Sequence, residues 1–304
     1  MKWLTRNAGA ALSRRLSPVH SDRSFYTVDV SKPVRIAIPE PSIDTEYNQR
    51  SLPPYLAALH SVGATAVLVP LHESPDRVAK LLASAQAVLL PGSRFDVDPQ
   101  RYGEAPIAEC GPADPARTAV DELLLQDAFN LHKPILGICH GTQTLNVWRN
   151  GTLVQDLPSV LHTPVDHSPG RAVADAHPVA ITPESRLAKI VESAADVDGA
   201  QSVTSSAGAE DLKAEARGAV MVNSSHHQAV RTPGDNLRVT ALSPEDQVIE
   251  AVELDSAEHF VVAVQWHPER TYATSAISRA LFAAFVHAAE AWQPRRIEES
   301  VAPR

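Results

Sequence analysis

The chain has 304 residues, a formal net charge of −9 at pH 7 and only two cysteines, Cys110 and Cys139. The acidic balance argues against a nucleic-acid or anionic-membrane surface, and the cysteine count argues against a disulfide framework. With so few cysteines a reducing cytoplasm is the expected compartment, and no apolar run reaches bilayer-spanning length.

Residues 1–32 are basic but lack a continuous apolar stretch, which reads as a mobile N-terminal extension rather than a cleaved signal. From residue 33 the pattern alternates. Residues 34–38 (VRIAI) form a first strand, and a helix is expected from Pro54 to Val62, closed by Gly63. Residues 66–69 (AVLV) are a strand buried on both faces. Ser74 caps a short helix reaching Ala83, and residues 87–90 (AVLL) form the next strand. A long loop rich in Pro, Gly and Asp follows from Gly92 to about Ala116; its length suits a binding role. Leu123, Leu124 and Ala128 mark one face of the helix after it.

The second half is richer in strands: residues 179–181, 219–222, 237–241, 248–252 and 260–264. Residues 193–218, full of Ala, Ser, Gly and acids, read as a mobile excursion, and residues 275–292 as a closing amphipathic helix. The whole predicts one α/β domain over residues 33–292, a doubly wound, mostly parallel sheet of flavodoxin-like type with extra β-rich elements late in the chain. Residues 293–304 are left as a tail. Ligands on such sheets bind beyond the carboxyl ends of the strands, where Gly92 and Cys139 both fall.

Two segments carry chemistry. In PILGICHGTQTLN, residues 134–146, an apolar strand ends at Cys139 and a helix begins at once, with Gly137 and Gly141 flanking the thiol. This is the cysteine counterpart of the G-x-S-x-G nucleophile elbow. A helix N-terminus there favours the thiolate. In AVQWHPER, residues 263–270, a strand runs into His267-Pro268-Glu269. In extended chain His267 and Glu269 face the same side, and Pro268 keeps His267 out of the helical region. Taken singly, Cys139 reads as an apolar filler and His267 as a satisfied polar residue. Together they compose a Cys-His-Glu triad.

LGICHGTQ, VNSSHHQAV and AVQWHPE, with LLPGSRFDVDPQRYGE and NGTLVQDL, resemble the class I glutamine amidotransferase-like family, and within it the γ-glutamyl hydrolases of peptidase C26 type. The resemblance extends over residues 34–289. It implies catalytic Cys139, His267 and Glu269, an oxyanion hole from the backbone N–H groups of His140 and Ser93, and substrate contacts from Gly92, Gln143, Ser225 and His226. Arg often follows the nucleophile in this subgroup, whereas this chain has His140.

The implied activity is cleavage of a γ-glutamyl amide through a γ-glutamyl thioester, with a small γ-glutamyl compound as the only partner and no cofactor. No metal is expected, because His226 and His227 have no Cys, Asp or Glu ligand pattern beside them. A synthase partner is not expected, and self-association is left open. Two rival readings are a glutaminase subunit of a two-chain amidotransferase and a non-catalytic sensor of γ-glutamyl compounds. A Rossmann-type nucleotide binder ranks below both, since no G-x-G-x-x-G follows the first strand.

Overall fold

The computed structural model describes residues 33–197 and 219–294. The N-terminal extension, most of the 193–218 excursion and nearly all of the tail therefore lie outside the described residues. Within the described part, strand and helix alternate as β1 (Val34–Pro39), α1 (Thr45–Ser61), β2 (Ala64–Val69), α2 (Pro75–Ala83), β3 (Ala87–Leu90), α3 (Pro115–Leu131), β4 (Ile135–Ile138) and α4 (His140–Trp148). There follow β5 (Thr152–Val154), α5 (Leu157–Leu161), β6 (His177–Ile181), α6 (Arg186–Val197), β7 (Ala219–Val222), β8 (Ala229–Thr232), β9 (Leu237–Leu242), β10 (Ile249–Leu254), β11 (Val261–Val264), α7 (Pro268–Thr271) and α8 (Ala276–Ala291).

The sheet order is β2-β1-β3-β4-β11-β10-β9-β6-β7, with β8 joining β10 to β5. The first five strands are parallel, and from β10 onward the pairing is antiparallel. The expected mostly parallel, doubly wound sheet with a β-rich second half is what the chain builds.

Strand residues divide between two cores because successive side chains point to opposite faces. Ile36, Ile38, Leu89, Leu136, Ile138, Val262 and Val264 pack with Leu59, Leu281 and Phe285 on one face. Ala37, Val67, Val69, Val88, Leu90, Ile135 and Val261 pack with Val78, Leu124, Leu125 and Leu145 on the other. Each fully buried Leu, Val or Phe contributes about 1.5–3 kcal/mol of burial free energy, which fixes strand register against slippage.

Several boundaries differ from the sequence expectations. Helix α1 starts at Thr45, nine residues before Pro54, because the Asp44 side chain caps it by accepting from the Tyr47 N–H at 3.0 Å. Pro53 and Pro54 sit inside the helix instead of opening it. Leu123 is exposed, and the buried face of α3 runs through Val120, Leu124, Leu125 and Ala128. Helix α6 continues to Val197, into the segment expected to be irregular. The long loop contains a short 3₁₀ turn at Pro99–Tyr102 and a bridge from Asp96 to Ala113.

Gly141 is the tightest point of this frame. A Cβ there would lie 2.1 Å from the Leu90 carbonyl oxygen, and one at Gly137 would lie 3.0 Å from Ala263 Cβ. The start of α4 is thus pressed against the ends of β3 and β4, and β4 against β11. Gly141→Ala is expected to destabilise the domain by about 3 kcal/mol or more, since the clash is with backbone rather than with a mobile side-chain tip. Denaturant unfolding of the variant checks this; an unchanged midpoint would refute the close packing.

Candidate active site

Cys139 occupies a backbone conformation that L-residues rarely adopt, with φ 52° and ψ −108°, at the junction of β4 and α4. Such strain persists only where the surroundings over-determine it. Here the Cys139 N–H donates to the Val264 carbonyl at 2.8 Å, and the Thr142 N–H donates to the Cys139 carbonyl at 2.9 Å. The Thr142 hydroxyl also donates to Val264 O at 2.6 Å. The elbow is therefore pinned to the end of β11, the strand that leads to the histidine.

His267 and Glu269 meet, with Nδ1 and Oε1 2.9 Å apart. Their route differs from the one expected. The chain does not stay extended: Glu269 lies in the first turn of α7, and His267 is the residue before it, at φ −115° and ψ 79°. Pro268 at the helix start serves both conditions, since its fixed φ suits a first helical position and it keeps His267 non-helical. Asn223 clamps the histidine backbone in both directions. Its amide donates to His267 O at 2.8 Å, and its oxygen accepts from the His267 N–H at 2.8 Å.

Cys139, His140, Ser93, Gln143, Ser225, His226 and His267 open onto one cavity of about 290 Å³. Three arginines, Arg94, Arg171 and Arg270, also line it. Gly92 does not. Its N–H donates to the Tyr55 hydroxyl at 3.0 Å, and a Cβ there would sit 3.0 Å from His267 Cε1. Gly92 lets the β3 loop approach the imidazole, which leaves Ser93 as the cavity-facing member of that turn. Gln143 reaches the cavity, but its amide nitrogen already donates to Gln228 O at 2.9 Å. His226 is bound through Nδ1 to Gln228 O at 2.9 Å, and its Nε2 faces Glu250 at 3.6 Å. The premise that His226 lacks ligand-type neighbours holds only along the sequence, because the fold brings His167, His177 and Glu250 to it.

The electrostatics oppose the expected thiolate. Burial pushes the Cys139 thiol up to about 12, against the lowering influence of Arg270 and of the His140 N–H. Burial likewise lowers the His267 pKa, although Glu269 raises it. Burial works to raise Glu269, but His267 and Arg270 outweigh it and hold the carboxylate ionised. The resting site is thus a neutral thiol beside a neutral imidazole. The imidazole donates from Nδ1 to Glu269, and its Nε2 accepts from Arg270 Nη2 at 3.1 Å. Cys110, outside the cavity lining, contacts Asp96 Oδ2 and Gly111 O, each at 3.6 Å.

The peptidase C26 family model matches residues 39–269. The chain belongs to that family. A glutamine amidotransferase-like protein of Mycobacterium tuberculosis is 35% identical over 244 residues, covering 80% of this chain and 68% of that one. The amidotransferase-like protein YvdE of Lactococcus lactis is 30% identical, covering 77% and 86%. Gamma-glutamyl-gamma-aminobutyrate hydrolase PuuD of Escherichia coli is 29% identical, covering 77% and 84%. Among solved structures, a GMP synthase-type protein from Thermoplasma acidophilum aligns with TM-score 0.51 at 12% identity, covering 86% of this chain and 96% of that one. That likeness concerns the fold. Membership of peptidase C26 makes the chain a member of a hydrolase family. Among the described residues no helix is long and apolar enough to cross a membrane.

Three residue roles at this candidate site were not read from the sequence, although Asn223 stands in the VNSSHHQAV segment that carried the resemblance. Asn223 positions His267, Tyr55 holds Gly92, and Arg270 covers His267 Nε2. Asn223 and Tyr55 act across 44 and 37 residues, so no local spacing announces them. Arg270 is different: it directly follows Glu269, and a cation next to a candidate base is a readable signal. With the thiol held at about 12, alkylation of Cys139 by iodoacetamide is expected to quicken about tenfold per pH unit from pH 7 to 10. The rate is followed by mass spectrometry of the Cys139 peptide. A rate that is flat from pH 6 to 8 would mean a pre-formed thiolate–imidazolium pair instead.

Proposed function

We propose that this chain is a cysteine hydrolase that cleaves the γ-glutamyl amide bond of small γ-glutamyl compounds. The observation that carries the reading is the strained Cys139 elbow opening on the same cavity as the His267–Glu269 pair. The C26 membership and the named hydrolase among the relatives support it. A γ-glutamyl group brings an α-carboxylate, and the cavity of this acidic protein is lined by Arg94, Arg171 and Arg270. Arg94 is paired with Asp44 and Arg270 lies against Glu269. Arg171 has no carboxylate partner among the described residues, and its guanidinium makes only a long 3.5 Å bond to Arg50 O there. It is the cation assigned to the substrate carboxylate.

In this reading a bound carboxylate also draws Arg270 off His267 Nε2, which frees the lone pair for catalysis. His267 then takes the Cys139 proton as sulfur attacks the γ-carbonyl carbon. The His140 N–H, already directed at the sulfur, and the Ser93 N–H receive the developing oxyanion. The imidazolium, stabilised by Glu269, returns the proton to the leaving amine, and a γ-glutamyl thioester remains. Water activated by His267 then attacks the thioester, releasing glutamate and restoring the thiol.

The test is a panel of γ-glutamyl amides, glutamine included, with free glutamate as readout. Release from at least one amide that is lost in Cys139→Ala is expected; no release from any of them by the folded chain would end the hydrolase reading. His267→Ala should fall to near background, whereas Glu269→Gln should retain more, since the carboxylate orients the imidazole and does not move protons itself. Glu269→Gln as inactive as Cys139→Ala would contradict this.

A separate expectation concerns Arg171→Ala. Its KM should rise about tenfold to a hundredfold, the range for loss of a charged hydrogen bond of about 1.5–3 kcal/mol, with kcat changed far less. An equal loss in kcat at unchanged KM would remove Arg171 from substrate binding.

A further inference from the structure

Behind one wall of the cavity four side chains converge from segments far apart in sequence. His167 comes from the loop before β6, His177 from the start of β6, His226 from the loop between β7 and β8, and Glu250 from β10. Their relative exposures are 3%, 4%, 6% and 0%. One ligand-type atom from each lies within 4.8 Å of all the others.

The outward nitrogen of each imidazole is already committed. His167 Nε2 meets Asp246 Oδ2 at 2.9 Å, His177 Nδ1 meets Pro178 O at 3.1 Å, and His226 Nδ1 meets Gln228 O at 2.9 Å. A carbonyl or carboxylate oxygen only accepts, so each outward nitrogen carries the hydrogen. The inward nitrogens, His167 Nδ1, His177 Nε2 and His226 Nε2, therefore present lone pairs. None of them has a hydrogen-bond partner, and neither does Glu250 Oε1 or Oε2.

Three buried lone pairs aimed at a buried, unsatisfied carboxylate repel one another, and each unmet polar atom carries a desolvation cost. Protonating His167 alone would pair it with Glu250 at 3.3 Å but leave the His177 and His226 lone pairs facing inward, and protonating all three rings would leave three cations around one anion. A divalent cation resolves both problems. The geometry fits one: ligands at about 2.1 Å in a tetrahedron are about 3.4 Å from each other. The inward nitrogens lie 3.3, 3.6 and 3.6 Å from Glu250 Oε1. A ligating histidine usually has its remote N–H held by a carboxylate or carbonyl, and all three rings here are held so.

We propose that His167, His177, His226 and Glu250 form a closed site for a divalent transition-metal ion of zinc type. Three imidazoles and one carboxylate suit zinc rather than magnesium or calcium. With four protein ligands and little exposure, the site is structural. It would join the loop carrying Ser225 and His226, a wall of the cavity, to β6 and β10. The backbone prepares that junction, since His167 O accepts from the His226 N–H at 2.9 Å and from the Ser224 hydroxyl at 2.7 Å.

The experiment uses the full chain. Its metal content is measured by plasma mass spectrometry, then it is stripped with a chelator and titrated with Zn²⁺ and with Co²⁺. One equivalent of zinc per chain, a melting temperature that falls on stripping and recovers with Zn²⁺, and visible bands of four-coordinate Co²⁺ are expected. His177→Ala and Glu250→Gln should lose stoichiometric binding. Asp246→Asn, which loosens the His167 ring, should weaken it about tenfold to a hundredfold. If the ligand variants do not fold, X-ray absorption on the zinc-loaded wild-type chain decides. A shell of nitrogen and oxygen with imidazole scattering supports the site, and sulfur in the shell overturns it. Folded wild-type chain that takes up neither ion, or folded His177→Ala and Glu250→Gln that bind as tightly as wild type, also overturns it.

Discussion

The parallel pairing of β4 with β11 is the constraint on which the candidate site depends. It sets Ile138 beside Val264, so the residues that follow, Cys139 on one strand and the His267 turn on the other, emerge at the same edge. Every close contact at the elbow refers to that edge. Val264 O accepts from both the Cys139 N–H and the Thr142 hydroxyl, and Gly137 and Gly141 remove the side chains that would hold the strands apart. The hydrophobic burial on both faces of the sheet holds this register, and the register sets the geometry of Cys139 and His267.

A second constraint is polar and lies at the same end of the sheet. Arg117 and Asp121 are fully buried and paired at 2.7 Å. The Arg117 guanidinium also donates to Pro41 O and Pro91 O, each at 2.8 Å. It thereby ties the exits of β1 and β3 to α3 and fixes the loop that carries Gly92 and Ser93. A buried pair of this kind is weak evidence for stability, but losing one partner strands a charge in the interior. Its cation also lowers the pKa of buried His140, after burial itself, so the residue following Cys139 is neutral. An arginine at that position, frequent in the resembling subgroup, would bring a second guanidinium towards Arg117.

Much of this was legible in sequence because it is local. The strand-ending elbow is written in Gly137, Cys139 and Gly141, and β3, β4 and α2 show their ends through apolar runs and a Ser-Pro cap. What was not legible depends on non-local partners. Strands β5 and β8 are short and pair with each other, so neither shows a pattern alone. Helix α1 hides its start because the prolines stand inside it. His167, His177 and Glu250 lie far from His226 in sequence and carry no shared pattern; only the fold brings them to it. The helix-terminus argument for a thiolate did not weigh the burial of Cys139, and burial is the larger effect.

The place of β11 in the sheet order has a consequence for biosynthesis. Among the described residues it is the last strand in sequence, yet it lies in the middle, between β4 and β10. A nascent chain that has emerged only as far as β10 holds two half-sheets with facing unpaired edges, and the elbow has no Val264 carbonyl to hold it. Closing that gap requires contacts across 122 residues, an entropic cost met only when the final strand arrives. Open central edges of this kind are where chains stick to one another, so ribosome-bound or truncated forms of this protein carry a self-association hazard that the finished molecule has removed. The same order of events keeps Cys139 and His267 apart until β11 has been made.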